Sequence, residues 1–133
     1  MDTLKFKPIY LGQCIIRYQV PLDIFTAINQ IYEKNYHDLY KANSQLVGKI
    51  ENEHSLFYDG KDQFKMKNHN FLPKNVTDYF MQVFKHYLTF NNIKDYDTHL
   101  NSIWVNEMKQ HEYNPAHIHR GMLFTGLSSV MIL

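Results

Sequence analysis

Residues 102–121 read SIWVNEMKQHEYNPAHIHRG, and the rest of the chain is understood outward from them. Ser102 to Met108 is rich in β-branched and aromatic side chains and predicts a strand. A polar stretch follows, from Lys109 to Ala116. Next come His117 and His119, one residue apart. In a strand, positions i and i+2 share a face, so both imidazoles are expected to enter one hollow. Two neutral imidazoles side by side form half of a site for iron, zinc, copper or nickel. A third ligand has to come from elsewhere. The plainer alternative is two partly exposed histidines on a strand edge. With 8 histidines in the chain, a chance pair is easy to obtain.

The order of motifs around that pair is more specific. Trp104-Val-Asn106, Tyr113-Asn114-Pro115, His117-Ile-His119-Arg-Gly121 and Leu127-Ser128-Ser129-Val130 follow one another. Together they resemble the 2-oxoglutarate/Fe(II)-dependent oxygenases of phages and bacteria. Members of that family pair a Trp-x-Asn strand with a His-x-His segment and a Leu-Ser-Gly-Val-type strand. The resemblance spans Ile103 to Leu133, about a quarter of the chain. Upstream, a strand, a helix, Leu46 to Ile50 (Leu-x-Gly-x-Ile) and a second helix fit more loosely.

The resemblance implies a fold and a site. The fold would be α+β: an N-terminal strand and two helices packed on the opening strands of a jelly-roll-like double-stranded β-helix. Iron would be held by the His-x-His segment and a distal histidine, and 2-oxoglutarate would chelate it and pair with a distal arginine. Three protein ligands leave positions open for cosubstrate and O₂. The metal carries the oxidation while the protein supplies geometry and shelter. Carried onto this sequence, His117 matches the first iron ligand. His119 stands where the wider superfamily has a carboxylate, a departure from His-x-Asp. Asn106 and Tyr113 would give polar groups to the pocket; alternatively, they are a strand asparagine facing water and a loop tyrosine packed on a neighbour. Trp104 reads as core. The distal histidine and arginine are not found by Leu133, and Arg120 sits on the wrong element to replace the latter. The expectation is therefore an oxygenase-like fold that is incomplete as written, with Fe(II) and 2-oxoglutarate as its implied cofactors.

Two other classes stay open. Cupins also place His-x-His on a strand, followed by a metal-binding Glu, but Arg120 to Thr125 contains no carboxylate. The other is a non-catalytic assembly module on the same scaffold. A chain that stops on Val130-Met131-Ile132-Leu133 stops inside a strand signal, and an unpaired strand edge pairs with other chains. A homo-oligomer with those residues in the contact is the corresponding expectation.

Elsewhere the pattern predicts a strand over Ile9 to Val20, ending at Pro21, and a helix from Leu22 to about Tyr40. Val76, Tyr79, Phe80, Val83, Phe84, Tyr87 and Leu88 recur at helical spacing and predict a second helix. Asn75 is its expected N-cap, with Asp78 in the first turn. Leu46 to Ile50 reads as a short strand or packed turn, Asp59-Gly60 as a turn, and Thr125 to Leu133 as a buried strand.

Composition narrows the function classes. The chain has 133 residues, which predicts one domain over 1–133. Formal net charge is +1, so bulk electrostatics make no case for nucleic acid or an anionic membrane. The basic-aromatic stretch Lys61 to Lys67 reads as solvated surface. A single cysteine, Cys14, excludes an intrachain disulfide framework and a Cys-based zinc site, in keeping with a cytoplasmic protein. No apolar run approaches the ~18 residues of a membrane span. There is no phosphate-binding glycine loop, nucleophile elbow or dinucleotide fingerprint. The substrate, small molecule or protein, is not readable.

Overall fold

The computed structural model describes residues 4–11, 13–41, 48–58, 69–115 and 127–132. Strands β1 (Phe6–Leu11) and β2 (Gln13–Tyr18) form an antiparallel hairpin, with Phe6 opposite Tyr18 and Pro8 opposite Ile16. The single strand expected over Ile9 to Val20 is therefore two strands. In sequence the β pattern on the two sides of Gly12 reads as one strand, because a single residue is all that interrupts it.

Helix α1 (Leu22–Asn35) buries Ile24, Ile28 and Tyr32, one stripe at four-residue spacing. It ends before the expected Tyr40. The N–H groups of Asp38 and Leu39 both donate to the carbonyl of Asn35, at 2.8 and 3.1 Å. That turn carries Leu39 into the core, which is why the apolar pattern outlasts the helix. Helix α2 (Lys74–Phe90) buries Val76, Tyr79, Val83 and Leu88. Its N-cap is Pro73 rather than Asn75. Asp78 accepts from Lys74 Nζ at 2.8 Å, an exposed i,i+4 pair, and does not serve the first turn. Asn91 closes the C-terminal end: its N–H and Nδ2 both donate to the carbonyl of Tyr87.

The second sheet is built on β4 (Asn52–Tyr58). Strand β6 (Ser102–Glu107) pairs antiparallel along one edge of β4, from Asn52↔Glu107 to Tyr58↔Ser102. The short strands β3 (Tyr40–Lys41) and β5 (His69–Asn70) share its other edge. The β4–β6 register slips between Ser55 and Phe57, so Leu56 is an extra residue on β4. This bulge lets Leu56 and Phe57 both approach the helices. Leu56 and Val76 are fully buried at the centre of the core, with Ile24, Ile28, Leu72 and Val83 around them.

The hairpin is joined to α2 by polar and aromatic contacts. Tyr18 Oη and His86 Nδ1 share a 2.8 Å hydrogen bond, and Tyr87 Oη donates to the carbonyl of Cys14 at 2.9 Å. The Phe6 ring lies 4.6 Å from that of His86. Burial, helped by the neighbouring Tyr79, pushes the Tyr18 hydroxyl up to about 12.

The architecture is thus mixed α+β, with two small antiparallel sheets and two helices. The buried strand expected over Thr125 to Leu133 is corrected for residues 127–132, which form no strand. Val130 and Ile132 are 92% and 89% exposed, and only Met131 between them packs against the core. No helix among the described residues is long and apolar enough to cross a membrane.

Candidate functional site

The β4–β6 pair has two faces of different chemistry. Ile103 and Val105 pack toward the core, so strand alternation turns Trp104 and Asn106 to the opposite face. On β4 the fully buried His54 faces α1, which turns Glu53 and Ser55 away from it. Asn106 stands opposite Glu53, and Trp104 opposite Ser55. Tyr40 of β3 continues that second row.

This second face is polar and buried at Glu53 and Ser55, and exposed at Trp104 and Tyr40. Glu53 and Ser55 are nearly out of contact with water. Asn106 Oδ1 is buried and has no hydrogen-bond partner among the described residues. A buried amide oxygen without a partner costs about 1–3 kcal/mol. Trp104, expected in the core, is instead 39% exposed on this face. An aromatic residue at a strand centre looks like core in sequence, but the bulge and the alternation put it on the side away from the helices.

Beyond β6 the chain turns back on itself. Glu112 N–H donates to the carbonyl of Lys109 at 3.0 Å. The Glu112 carboxylate accepts from the Lys109 N–H at 2.7 Å and from the Glu51 N–H at 3.1 Å. These backbone donors hold the carboxyl below its usual range. His111 takes a left-handed backbone, φ 68°, at the tip. The returning segment then meets the residues just ahead of β4. Lys49 N–H donates to the carbonyl of Tyr113 at 2.9 Å, and Tyr113 N–H returns a bond to Lys49 at 3.0 Å. Gly48 makes this approach possible, because a Cβ there would lie 2.3 Å from the Tyr113 carbonyl oxygen and 2.8 Å from Pro115 Cδ. Within the Leu-x-Gly-x-Ile motif, Gly48 and Lys49 are thus a packed crossing point, and Leu46 and Val47 lie outside the described residues.

Of the residues singled out from sequence, Asn106 lines the polar face. Tyr113 serves through its backbone, and its side chain is 56% exposed. Tyr113 pairs with Lys49, ahead of β4, whereas Asn106 pairs with Glu53 within it. His117, His119 and Arg120 lie outside the described residues, as do Lys61 to Lys67. Among the described residues, no group of three or more His, Cys, Asp or Glu side chains could hold a metal ion.

A second polar cluster, absent from the sequence expectations, lies between the sheet and α1. Tyr32 Oη and His54 Nδ1 share a 3.1 Å hydrogen bond inside the core. The Tyr36 ring sits 4.7 Å from the imidazole. His54 Nε2 is buried with no partner among the described residues. Asn52 Nδ2 donates to Glu107 at 3.2 Å, and Lys41 Nζ donates to Asn52 Oδ1 at 3.4 Å. Burial, then the nearby Lys41 charge, lowers the His54 pKa, while Glu107 pulls the other way. Burial and the Glu107 carboxylate raise that of Tyr32. Both rings are thereby held neutral. The signal that could have found them is Tyr32 inside the apolar stripe of α1, with His54 two positions before Leu56.

Comparison with protein-family models, curated proteins and solved structures finds no match to this chain.

Proposed function

We propose that the chain is a non-haem Fe(II)/2-oxoglutarate-dependent oxygenase domain of hydroxylase type, its four-stranded sheet forming one wall of a double-stranded β-helix. The supporting observation is the buried polar part of one sheet face: Glu53 and Ser55 are nearly out of water, and the Asn106 amide oxygen has no hydrogen-bond partner there among the described residues. A jelly roll builds its site on sheet faces turned away from bracing helices, and α1 lies against the other face here. The sequence resemblance supplies the ligands, His117 and His119. Bound iron would supply the oxidising chemistry with O₂ and 2-oxoglutarate. The described residues do not by themselves complete a ligand set, so the roles assigned to this chain's side chains stop at binding and shelter. Asn106 would orient a polar group on the polar face. Gly48 and the Tyr113 backbone would fix the segment that precedes His117 in sequence.

The experiment is an anaerobic titration of the purified chain with Fe(II), with and without 2-oxoglutarate. One equivalent of iron is expected to bind. Affinity should fall at least tenfold in His117→Ala and in His119→Ala, in line with the loss of a coordinating group. Absence of stoichiometric binding, or binding indifferent to both substitutions, would refute the assignment.

A second reading draws on the exposed apolar side chains of Val130 and Ile132. Adjacent exposed apolar groups favour association between copies. In this reading the chain is an assembly module. Light scattering at tens of micromolar should give a multiple of the 16.0 kDa chain mass, reverting toward the monomer in Val130→Asp/Ile132→Asp. A monomeric mass for the unaltered chain would exclude it.

A further inference from the structure

The hairpin has one face on α2 and one in water. Phe6 and Tyr18 pack on His86, so alternation turns Lys7, Ile9, Ile15 and Arg17 to the opposite side. Register sets these four in two rungs, Lys7 opposite Arg17 and Ile9 opposite Ile15. All four are exposed, Ile9 and Ile15 at 39% and 51%. The Gln19 N–H donates to the carbonyl of Lys5 at 2.8 Å, which adds a third rung with exposed Lys5 and Gln19. Residues 4–20 contain Lys5, Lys7 and Arg17 and no Asp or Glu, whereas the whole chain carries only +1. Asp23 shares a cleft with Lys5 at the base of the hairpin. Neither Lys7 nor Arg17 has an acidic partner among the described residues.

Two features of this face disfavour leaving it bare. Like charges directly opposite each other on a sheet repel. Beside them, a pair of apolar side chains stands in water and forgoes the gain from burial. An anionic surface with an apolar layer beneath it relieves both. We propose that the outer face of the hairpin docks on the surface of an anionic lipid bilayer, with Lys5, Lys7 and Arg17 among the headgroups and Ile9 and Ile15 at the acyl boundary. Long cationic stems reach headgroup level while their apolar neighbours go deeper. Size favours a lipid surface over a protein. Two strands over three rungs span on the order of 10 Å by 14 Å. A stable protein interface takes about 800 Å² from each partner. A bilayer requires neither that area nor a matching shape. Nucleic acid suits the face less well, because these three rungs carry no aromatic ring on which a base could stack.

The test uses the full chain and sedimenting vesicles, either of phosphatidylcholine alone or of an equimolar mixture with phosphatidylserine. The mixed vesicles should bind at least twentyfold more tightly, since each cation near an anionic leaflet is worth about fivefold. Raising salt from about 0.1 M to about 1 M shortens the screening length from about 10 Å to about 3 Å and should weaken binding at least tenfold. Lys7→Gln should weaken it about fivefold and Lys7→Gln/Arg17→Gln about twentyfold. Neither variant should lower the melting temperature, because the opposed charges are gone. Ile9→Thr/Ile15→Thr, which keeps the β-branching, should weaken binding at least fivefold. Lys34→Gln, which removes an exposed cation from α1, should leave it within about twofold. Equal binding to the two kinds of vesicle, a loss in Lys34→Gln as large as in Lys7→Gln, or indifference to Ile9→Thr/Ile15→Thr would each overturn the proposal. Tighter binding of polyglutamate or of oligothymidylate than of the mixed vesicles, lost in Lys7→Gln/Arg17→Gln, would overturn it in favour of a protein or a nucleic-acid partner.

Discussion

Gly48→Ala is expected to lower stability by about 1–3 kcal/mol, toward the upper end of the range for overpacking. The added Cβ would stand 2.3 Å from the carbonyl oxygen of Tyr113, 2.8 Å from Pro115 Cδ and 3.1 Å from Asn114 Cα. Two of these obstructions are backbone and the third is a proline ring, so no side chain can swing aside. The returning segment must move out, and both hydrogen bonds between Lys49 and Tyr113 then stretch or break. Each is worth about 0.5–1.5 kcal/mol net. Urea denaturation gives the loss directly. Amide exchange at Lys49 and Tyr113 should quicken more than exchange inside α2. A substitution that costs less than about 0.5 kcal/mol, the range of ordinary surface changes, would show that the crossing does not require a glycine. The same variant bears on function: if the returning segment positions the residues that follow Pro115, iron affinity should fall along with stability.

The second large effect concerns His54. Its imidazole is wholly buried, and its pKa lies below the ordinary 6.5 because burial and Lys41 disfavour the charged form. Above pH 6.5 the folded and unfolded chains both carry a neutral imidazole, and this group makes stability no function of pH. As pH falls below 6.5, the unfolded chain takes up a proton that the folded chain refuses. Stability then declines, and continues to decline until the folded-state pKa is reached. The groups facing the imidazole are Tyr32 from α1, Tyr36 at the cap just beyond it, Lys41 from β3 and Glu107 from β6. Tyr32→Phe at pH 7 should cost about 1–3 kcal/mol, since it strands His54 Nδ1 without its partner. The double variant Tyr32→Phe/His54→Leu should recover most of that loss, because replacing both members of a buried pair can be nearly neutral. It should also lose the part of the acid sensitivity that begins near pH 6.5. Thermal denaturation from pH 7.5 to 5 in the three proteins checks this. Identical pH profiles for the unaltered chain and the double variant would remove His54 from the account.

These two sites also show what the sequence discloses. Helix α2 is legible because its apolar residues keep helical spacing from Val76 to Leu88, and burial follows that spacing. Strand β6 is legible from Ile103, Trp104 and Val105. The central strand β4 is not, because Glu53, His54 and Ser55 are polar and consecutive, yet all three are buried. Burial of such residues is decided by partners far along the chain: Tyr32 for His54, and the ladder to β6 for Glu53 and Ser55. The hairpin escapes notice because a single glycine interrupts a continuous β pattern. Glycine at position 48 is visible in the sequence, but its reason lies 65 residues away at Tyr113. The site is legible in the same uneven way. Asn106 falls on the polar face through strand alternation, which sequence can supply. Trp104 is misplaced because hydrophobicity alone does not say which side of a strand is covered.

The extra residue at Leu56 acts as a parity shift. Before it, odd-numbered side chains of β4 look toward the polar face; after it, odd-numbered Phe57 lies with the helices. One continuous strand can thereby bury polar side chains on one face at one end and seal the oily interior at the other. The cost falls on evolution by insertion and deletion. Many side-chain replacements in this strand leave the arrangement intact, but removing one residue near the shift would invert every side chain beyond it. Length, more than composition, is what this strand has to conserve.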